Sequence, residues 1–257
     1  MATTKTPNEL FDLTDRVAII TGGSRGIGEA IARSFAAAGA KVAIASRKAK
    51  ACEAVANDIN AGGGTAIAVP THLGELDSLE NLVQQTADQF GQIDIVVNNA
   101  ANALALPVGQ ITAEAFDKSM HVNLRGPLFL VQNALPWLEK SQHASVINII
   151  SAGVYTTGAY VALYTAAKAG LRMMTRSMAH ELVRHDIRVN AIAPGTVDTQ
   201  MVRNTPPEMQ AGMRDAAPVK RMADPEEMVG AALLLASDAG SFSTGQTIIV
   251  DGGMTTS

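Results

Sequence analysis

Tyr164 and Lys168 are the two residues whose types and spacing point most directly to chemistry. They stand four apart in Tyr-Thr-Ala-Ala-Lys, in a stretch whose pattern predicts a helix, so their side chains share one helical face roughly 6 Å apart. A free tyrosine, with a pKa of about 10, exchanges protons poorly at neutral pH unless a nearby positive charge stabilises its phenolate. Lys168 is placed to supply that charge, so the pair predicts proton transfer at the Tyr164 hydroxyl.

Lowering the tyrosine pKa to near neutrality requires more than one lysine. The shift takes about 3 pK units, or roughly 4 kcal/mol, whereas an exposed ion pair contributes about 1 kcal/mol or less. A second cation or partial burial is therefore expected. The alternative interpretation is an amphipathic tyrosine beside a solvated lysine. Ser151 favours chemistry, because it ends the apolar run 146–150 at the carboxyl edge of a predicted strand, where open α/β sheets bind ligands; its own alternative is a helix cap.

A glycine-rich turn near the amino terminus predicts a ligand-binding βαβ unit. An apolar run at 17–20 leads into Gly22, Gly26 and Gly28, and a helical stretch follows until Gly39 and a second apolar run. The glycines let the backbone turn tightly and approach a ligand, and the start of the helix favours a pyrophosphate. The spacing is Gly-x-x-x-Gly-x-Gly, which differs from the general dinucleotide fingerprint, so the turn alone is equally consistent with a structural role.

Together these motifs resemble the short-chain dehydrogenase/reductase family, in its compact branch of about this length. The resemblance extends from about Leu13 to Gly253. It implies an α/β fold of the doubly wound Rossmann type, with a seven-stranded parallel sheet and helices on both faces, and an oxidoreductase. The catalytic residues that it implies are Asn123, Ser151, Tyr164 and Lys168. The other matching motifs are Asn98-Asn99-Ala100-Ala101, Pro194-Gly195 and Asp251-Gly252-Gly253.

Apolar runs alternate with helical stretches along the chain, which predicts a single Rossmann-type domain over residues 1–257. Helix starts are expected at Asp77 and Asp224, each an acidic cap with a glutamate three residues on. Residues 200–224 interrupt the alternation and fall where the family carries a mobile lid, so they are expected to cover the substrate. The strand-like runs lie near 17–21, 42–46, 65–69, 93–97, 145–150, 188–193 and 247–250.

The composition excludes several functional classes. A net charge of −4, with the basic residues scattered, argues against nucleic acid or an anionic membrane as a partner, and no segment predicts a membrane span. The only cysteine, Cys52, cannot form an internal disulfide, and the first twenty residues lack the apolar core of a signal peptide, so a cytoplasmic location is expected. His180 and His185 stand five apart, about 140° around a helix, which argues against a metal site.

The resemblance implies a nicotinamide cofactor, and the residues after the second strand indicate which one. An acid there would accept the ribose 2′-hydroxyl, whereas this chain has Ser46, Arg47 and Lys48. Arg25 points toward the same place, so two guanidinium groups are expected to clamp the 2′-phosphate of NADP(H); the alternative is solvated loop charges. The implied cofactor-binding residues, with His72 where the family commonly has an acid near the adenine, are Gly22, Ser24, Arg25, Gly26, Ile27, Gly28, Ser46, Arg47, His72, Leu73, Asn99, Ala100, Tyr164, Lys168, Pro194, Gly195, Val197 and Thr199.

The implied mechanism places a substrate carbonyl between the hydroxyls of Ser151 and Tyr164. The nicotinamide delivers hydride to the carbonyl carbon, and Tyr164 gives its proton to the developing alkoxide. Lys168 is expected to lower the tyrosine pKa, together with the oxidised nicotinamide as the second cation, and to bind the nicotinamide ribose. Asn123 is expected to carry a water relay from the lysine to solvent.

The predicted substrate pocket is mostly apolar, which favours a ketone with hydrophobic substituents over a polyol. The hypothesis is an NADPH-dependent carbonyl reductase, or secondary-alcohol dehydrogenase in reverse, and the family implies a homotetramer. The alternatives are a 3-oxoacyl-acyl-carrier-protein reductase and a protein that binds NADPH without useful catalysis. Gln142 and His180 stand where carrier-docking reductases usually have basic residues, which argues against the first alternative. The pocket residues are Ser151, Val154, Tyr155, Tyr160 and Tyr164, with Ala103, Leu104, Leu106 and Met201 nearby.

Overall fold

Seven parallel strands form one sheet in the computed structural model, which describes residues 4–156 and 158–256. The strands are β1 (Val17–Thr21), β2 (Lys41–Ser46), β3 (Thr65–Pro70), β4 (Ile95–Asn98), β5 (Ser145–Ile149), β6 (Arg188–Pro194) and β7 (Thr247–Val250). Their order across the sheet is β3-β2-β1-β4-β5-β6-β7, so the direction of winding reverses between β1 and β4. Ligands of such sheets bind at that reversal, beyond the carboxyl ends of the strands.

Helices cover both faces of the sheet, as the alternation of apolar runs predicts. They are α1 (Pro7–Leu10), α2 (Gly26–Ala37), α3 (Ala49–Ala61), α4 (Leu76–Phe90), α5 (Ala113–Met120), α6 (Gly126–Leu138), α7 (Ala162–Leu182), α8 (Gln200–Arg203), α9 (Pro207–Ala216) and α10 (Val229–Ala236). Side chains of α2, α3 and α10 pack on one face of the sheet, and those of α4, α6 and α7 pack on the other. Within the described ranges, none of these helices has both the length and the apolar character needed to cross a membrane.

The central strands are buried, and mostly apolar, on both sides because both faces are covered. All five residues of β1 and all five of β5 are buried. Such strands read as continuous apolar runs and not as alternating patterns, which explains why the sequence locates them well. The predicted doubly wound Rossmann fold with a seven-stranded parallel sheet is confirmed.

The two predicted helix starts have different outcomes. Asp224 forms the expected capping box with Glu227, ahead of a short 3₁₀ turn that leads into α10. Helix α4 instead begins at Leu76, and its cap residue Glu75 makes no side-chain capping bond. The Glu75 amide already donates to the His72 carbonyl at 3.0 Å, so a turn brings the chain into the helix before Asp77 is reached.

A charged cluster joins the start of β1 to the loop after α10, at the end of the sheet opposite the crevice. Asp238 accepts from Lys5 and from the buried Arg16, each at 2.7 Å, and the His143 ring lies 3.3 Å away. Burial alone would raise the pKa of Asp238, but the hydrogen bonds from Lys5 and Arg16 outweigh it and lower the pKa to about 2. The ionised carboxylate therefore stabilises the folded state.

Replacing Asp238 by Asn should destabilise the protein in a pH-dependent way. Because the folded pKa lies near 2 and the ordinary value is 3.8, the contribution is complete above about pH 4 and is lost as the pH falls toward 2. We expect Asp238→Asn to lower the free energy of unfolding by about 1–2 kcal/mol near neutral pH, measured by urea unfolding. The exposed Asp58→Asn is the control, and an equal loss in both variants, or a loss that persists at about pH 2, would be the contrary result.

Candidate active site

The glycine turn joins β1 to α2 and brings the helix start to the crevice. Gly22 and Gly26 have positive φ angles of 67° and 57°. A Cβ on Gly28 would lie 2.4 Å from both the side-chain Nδ2 atom of Asn99 and the Gly22 carbonyl oxygen. The start of α2 can therefore lie this close to Gly22 and Asn99 only with glycine at this position. The cap residue Arg25 offers no side-chain hydrogen bond to the first turn of α2. The turn therefore leaves a helix dipole and backbone donors for an anion, which fits the pyrophosphate of a dinucleotide.

Thr21 fixes the two strand ends on either side of the crevice. Its hydroxyl donates to the Val97 carbonyl at 3.1 Å and accepts from the amides of Asn99 and Ala100 at 3.0 and 3.1 Å. The Asn99 side chain donates to the Thr21 carbonyl at 2.8 Å. Thr21 is not among the residues predicted for the site, although its place directly before the glycine turn is a usable signal. It holds Asn99 and Ala100, two predicted cofactor residues, against the turn.

Ser46 lies at the carboxyl end of β2, beside the glycine turn. Its hydroxyl lies 2.8 Å from that of Ser24 and 3.0 Å from the Cys52 sulfur. Arg25 and Arg47 are exposed at the same edge, and neither forms an ion pair with any residue in the described ranges. This end of the crevice therefore presents hydroxyls and two uncommitted guanidinium groups, which fit a phosphorylated ribose.

The predicted adenine residues follow β3 at the same edge. His72 accepts a hydrogen bond from the Gly74 amide on its Nδ1 atom at 3.2 Å, so its Nε2 atom carries the ring proton in the neutral form. Leu73 has a buried side chain that packs in the core. Only the backbone of Leu73 is therefore free to meet a ligand.

The loop after β6 reaches across to the glycine turn. The Gly195 amide donates to the Val250 carbonyl at 2.9 Å, and Val197 is buried and bridges to Ala223. The Thr199 methyl group lies 3.1 Å from the position of a Cβ on Gly26. The predicted residues of the loop, from Pro194 to Thr199, thus close one side of the crevice.

Ser151, Tyr164 and Lys168 meet at the carboxyl end of β5, as the sequence predicts. Ser151 follows β5 directly, and its hydroxyl accepts from the Gly153 amide at 3.1 Å. Tyr164 lies in the first turn of α7, and the Ser151 side chain is near enough to influence its pKa. The Lys168 side chain is only 1% exposed, and its ammonium donates to the Ile149 carbonyl at 2.7 Å, 6.0 Å from the centre of the Tyr164 ring.

Burial sets the charge states of this pair. It raises the pKa of Tyr164 above its ordinary value of 10, and the nearby Ser151 side chain offsets only part of that rise. It lowers the pKa of Lys168 from 10.5 to about 8. The sequence-based expectation was that partial burial would help to lower the tyrosine pKa, and it is wrong in direction, because burial disfavours the phenolate. The folded chain alone therefore holds Tyr164 as a neutral proton donor.

Asn123 is buried in a π-helical turn, His121–Arg125, between α5 and α6. Its side chain accepts from the Asn102 amide and donates to the Asn102 carbonyl, both at 2.8 Å, and also donates to the Ser119 hydroxyl at 3.2 Å. Its amide group is thus committed to the loop after β4. The side chain holds that loop in place, and its part in a water relay stays a prediction.

The predicted substrate residues lie on two loops at the same edge. Tyr160 is 55% exposed with a φ of 67°, and its carbonyl accepts from the Leu106 amide at 2.8 Å, which joins the two loops. Val154 packs against the core beside Leu171. The Tyr155 ring lies 4.8 Å from the Arg172 guanidinium carbon on α7, two helical turns beyond Tyr164. Tyr155 is therefore engaged by Arg172, and Tyr160 is the freer aromatic side chain.

Helices α8 and α9 lie in the predicted lid segment, and neither contains a buried residue. Met201 and Met209 are exposed on them. Arg203 donates to both carboxylate oxygens of Asp198, at 2.7 and 2.9 Å, which ties α8 to the loop after β6. The segment is thus a pair of loosely packed helices next to the crevice.

Comparison with known proteins agrees with this geometry. Residues 22–255 match the family model described as Enoyl-(Acyl carrier protein) reductase. The chain is 37% identical over 250 residues to the rhamnolipids biosynthesis 3-oxoacyl-(acyl-carrier-protein) reductase of Pseudomonas aeruginosa, covering 95% of this chain and 97% of that protein. It is also 37% identical over 256 residues to the galactitol 2-dehydrogenase of Agrobacterium fabrum, covering 94% and 98%.

A solved structure extends the comparison to the fold. It is a proposed NAD(P) dependent gluconate 5-dehydrogenase from Beutenbergia cavernae with NADP bound at low occupancy. It superimposes with a TM-score of 0.90 at 34% identity, covering 96% of this chain and 100% of that one. The chain therefore belongs to the short-chain dehydrogenase/reductase family, oxidoreductases that act on hydroxyl or carbonyl groups with a nicotinamide cofactor.

Proposed function

We propose that the protein is an NADPH-dependent ketone reductase for a largely apolar substrate, and a secondary-alcohol dehydrogenase in the reverse direction. The observation that carries this proposal is the meeting of Ser151 and Tyr164 at the end of β5, with the buried Lys168 ammonium 6.0 Å from the centre of the Tyr164 ring. Two neighbouring hydroxyl groups can each donate a hydrogen bond to the same acceptor oxygen. A carbonyl oxygen is such an acceptor.

The roles of the side chains follow from their charge states. NADPH, when bound in the crevice, supplies the hydride. Ser151 and Tyr164 orient the carbonyl oxygen, and Tyr164 donates its proton as negative charge grows on that oxygen. The raised pKa of Tyr164 keeps that proton in place until then. Lys168, still largely protonated at neutral pH with a pKa of about 8, stabilises the phenolate that remains.

The preference for NADP(H) over NAD(H) rests on the charges at the end of β2. Ser46 is neutral where an acid would repel a 2′-phosphate. Arg25 and Arg47 are exposed at the same edge, and the described residues offer them no carboxylate partner. A phosphate dianion would pair with both guanidinium groups through charge-assisted hydrogen bonds.

The apolar character of the substrate rests on the side chains around the crevice mouth. Tyr160, Met201 and Met209 are exposed on the loops and lid helices that follow the strands at this edge, and Leu106 is partly buried there. The second candidate is reduction of a 3-oxoacyl group on a carrier protein, which the name of the Pseudomonas relative favours. Gln142 and His180 are both exposed, and neither carries the permanent positive charge that an acidic carrier would meet.

The proposal extends to the whole chain as one cytoplasmic domain, with residues 200–224 as a substrate lid and four copies in the assembly. Exposed apolar side chains on α5, α7 and β7 support the assembly: Phe116, Met173 and Ile249. Neither nucleic acid nor a membrane is proposed as a partner, in keeping with the net charge of −4.

A panel of ketones assayed in parallel with NADPH and NADH tests the reaction and the cofactor together. We expect oxidation of NADPH with apolar ketones, at higher kcat/KM than with NADH, and little activity with polyols and NADP⁺. Tyr164→Phe should lower kcat by about 10²–10⁴-fold, because the proton donor is lost, while NADPH binding stays within about twofold by fluorescence titration. Full turnover in that variant, or none in the wild type across the panel, would refute the assignment.

Lys168→Met should remove activity and yet stabilise the fold. At about pH 7 the wild type carries the full cost of a buried ammonium, because its folded pKa is about 8 against an ordinary 10.5. We expect the variant to gain about 2 kcal/mol in free energy of unfolding. The gain should shrink as the pH rises from 8 to 10.5, because the folded wild type then sheds the proton that its unfolded state keeps.

Urea unfolding at several pH values measures this effect. The control is Lys118→Met, an exposed lysine on α5, which should show no such pH-dependent gain. A Lys168→Met protein that is less stable than the wild type near neutral pH would show that burial of the charge is not costly.

A further inference from the structure

We propose that Thr175 and Asn148, with Asn98, form a buried hydrogen-bond chain that positions the catalytic residues. The Asn98 side chain donates to the Asn148 carbonyl oxygen Oδ1 at 2.9 Å. Asn148 in turn donates from Nδ2 to the Thr175 hydroxyl at 2.8 Å, and that hydroxyl donates to the Leu171 carbonyl at 2.8 Å. The chain therefore crosses from β4 through β5 to α7. The inference rests on the proposed function of Ser151, Tyr164 and Lys168.

Each member of the chain lies on an element that carries a site residue. Asn98 ends β4 and directly precedes Asn99 at the crevice, and it also donates to the Pro127 carbonyl at the start of α6, at 3.4 Å. Asn148 lies on β5, three residues before Ser151. Thr175 lies on α7, seven residues after Lys168. Seven residues are close to two full turns, so Thr175 and Lys168 share one face of the helix.

Two contacts thus hold α7 on β5. Lys168 contacts the Ile149 carbonyl, and Thr175 contacts the side chain of the neighbouring Asn148. One contact would leave the helix freer to rotate or slide, because the described apolar residues of α7, such as Leu171 and Met178, make no directional bonds to the sheet. Apolar packing tolerates small shifts. Two directional contacts along one face of α7 fix both its rotation about its own axis and its position along that axis. They thereby also fix the distance from Tyr164 to Ser151.

Burying this hydrogen-bond chain costs free energy, which argues that it does more than stabilise the fold. Asn98, Asn148 and Thr175 are all fully buried between the sheet and α7. The Oδ1 atom of Asn98 has no hydrogen-bond partner among the described residues. Exchanging the positions of Oδ1 and Nδ2 in Asn98 would place Oδ1 against the Asn148 Oδ1 atom and the Pro127 carbonyl oxygen, which cannot donate to it. The Asn98 Oδ1 atom therefore lacks a described partner in this network. Apolar residues of similar volume would avoid this cost but would not specify one placement of α7.

Thr175→Val tests the proposal, and Thr86→Val is its matched control. Both threonines are fully buried in a helix and donate to the carbonyl four residues earlier, at 2.8 Å for Thr175 and 2.7 Å for Thr86. Only Thr175 also accepts from a strand residue, Asn148. Thr175→Ser keeps the hydroxyl and serves as the rescue variant.

We expect Thr175→Val to lower kcat by about tenfold, because the reacting groups are misplaced, with KM and the Kd for NADPH within about twofold of the wild type. Thr86→Val and Thr175→Ser should keep kcat within about twofold. An unchanged kcat in Thr175→Val, or an equal loss in Thr86→Val, would overturn the proposal.

Hydrogen exchange on the protein without ligand gives a second measurement that does not depend on turnover. Thr175→Val should speed amide exchange in peptides from β5 and from the Tyr164–Lys168 part of α7, whereas Thr86→Val should speed it in α4. If the wild type reduces no ketone, the proposed function fails while this measurement still decides the positioning role. Unchanged amide exchange at β5 and α7 in Thr175→Val would overturn that role. If Thr175→Val fails to fold, Asn148→Ala takes its place, and a normal kcat in Asn148→Ala would also overturn the role.

Discussion

The buried ammonium of Lys168 is the interaction on which the rest of the site depends. It donates to one carbonyl, that of Ile149, and its side chain is almost completely buried. A charge in such a place persists only if the surrounding elements fix its partner. Strand β5 supplies that partner and also presents Ser151, while α7 carries both the lysine and Tyr164. The proposed catalytic residues therefore come together where the end of β5 meets one face of α7.

The burial of Lys168 and Tyr164 also determines which protonation states the protein favours without a cofactor. Burial raises the pKa of Tyr164 and lowers that of Lys168. In the protein without cofactor, Tyr164 is therefore a protonated hydroxyl that can donate its proton, and its pKa is not lowered. Reduction of a carbonyl needs that donor. Oxidation of an alcohol would need the phenolate, which the folded protein alone disfavours; an oxidised nicotinamide, if bound in the crevice, would supply a further positive charge that favours it. The direction of reaction is thus tied to the redox state of the cofactor.

Local patterns in the sequence predict the βαβ unit, the α7 helix and the place of Ser151, because each depends on neighbours within a few residues. They do not predict what depends on distant neighbours. Asn98 and Asn148 are 50 residues apart, and Asn148 and Thr175 are 27 apart, so nothing local indicates their contact. The expectation that burial helps to lower the Tyr164 pKa was wrong for the same reason, since burial depends on the whole fold. Thr21 was missed because its partners follow another strand.

The most direct test is a pH titration of the Tyr164 phenol. Ultraviolet absorbance of tyrosinate, taken as the difference between wild type and Tyr164→Phe, gives its pKa without ligand and with saturating NADP⁺. The account predicts a pKa above 10 in the free protein and a clearly lower pKa with NADP⁺ bound. A pKa below 10 in the free protein, or the same value in both states, would contradict it.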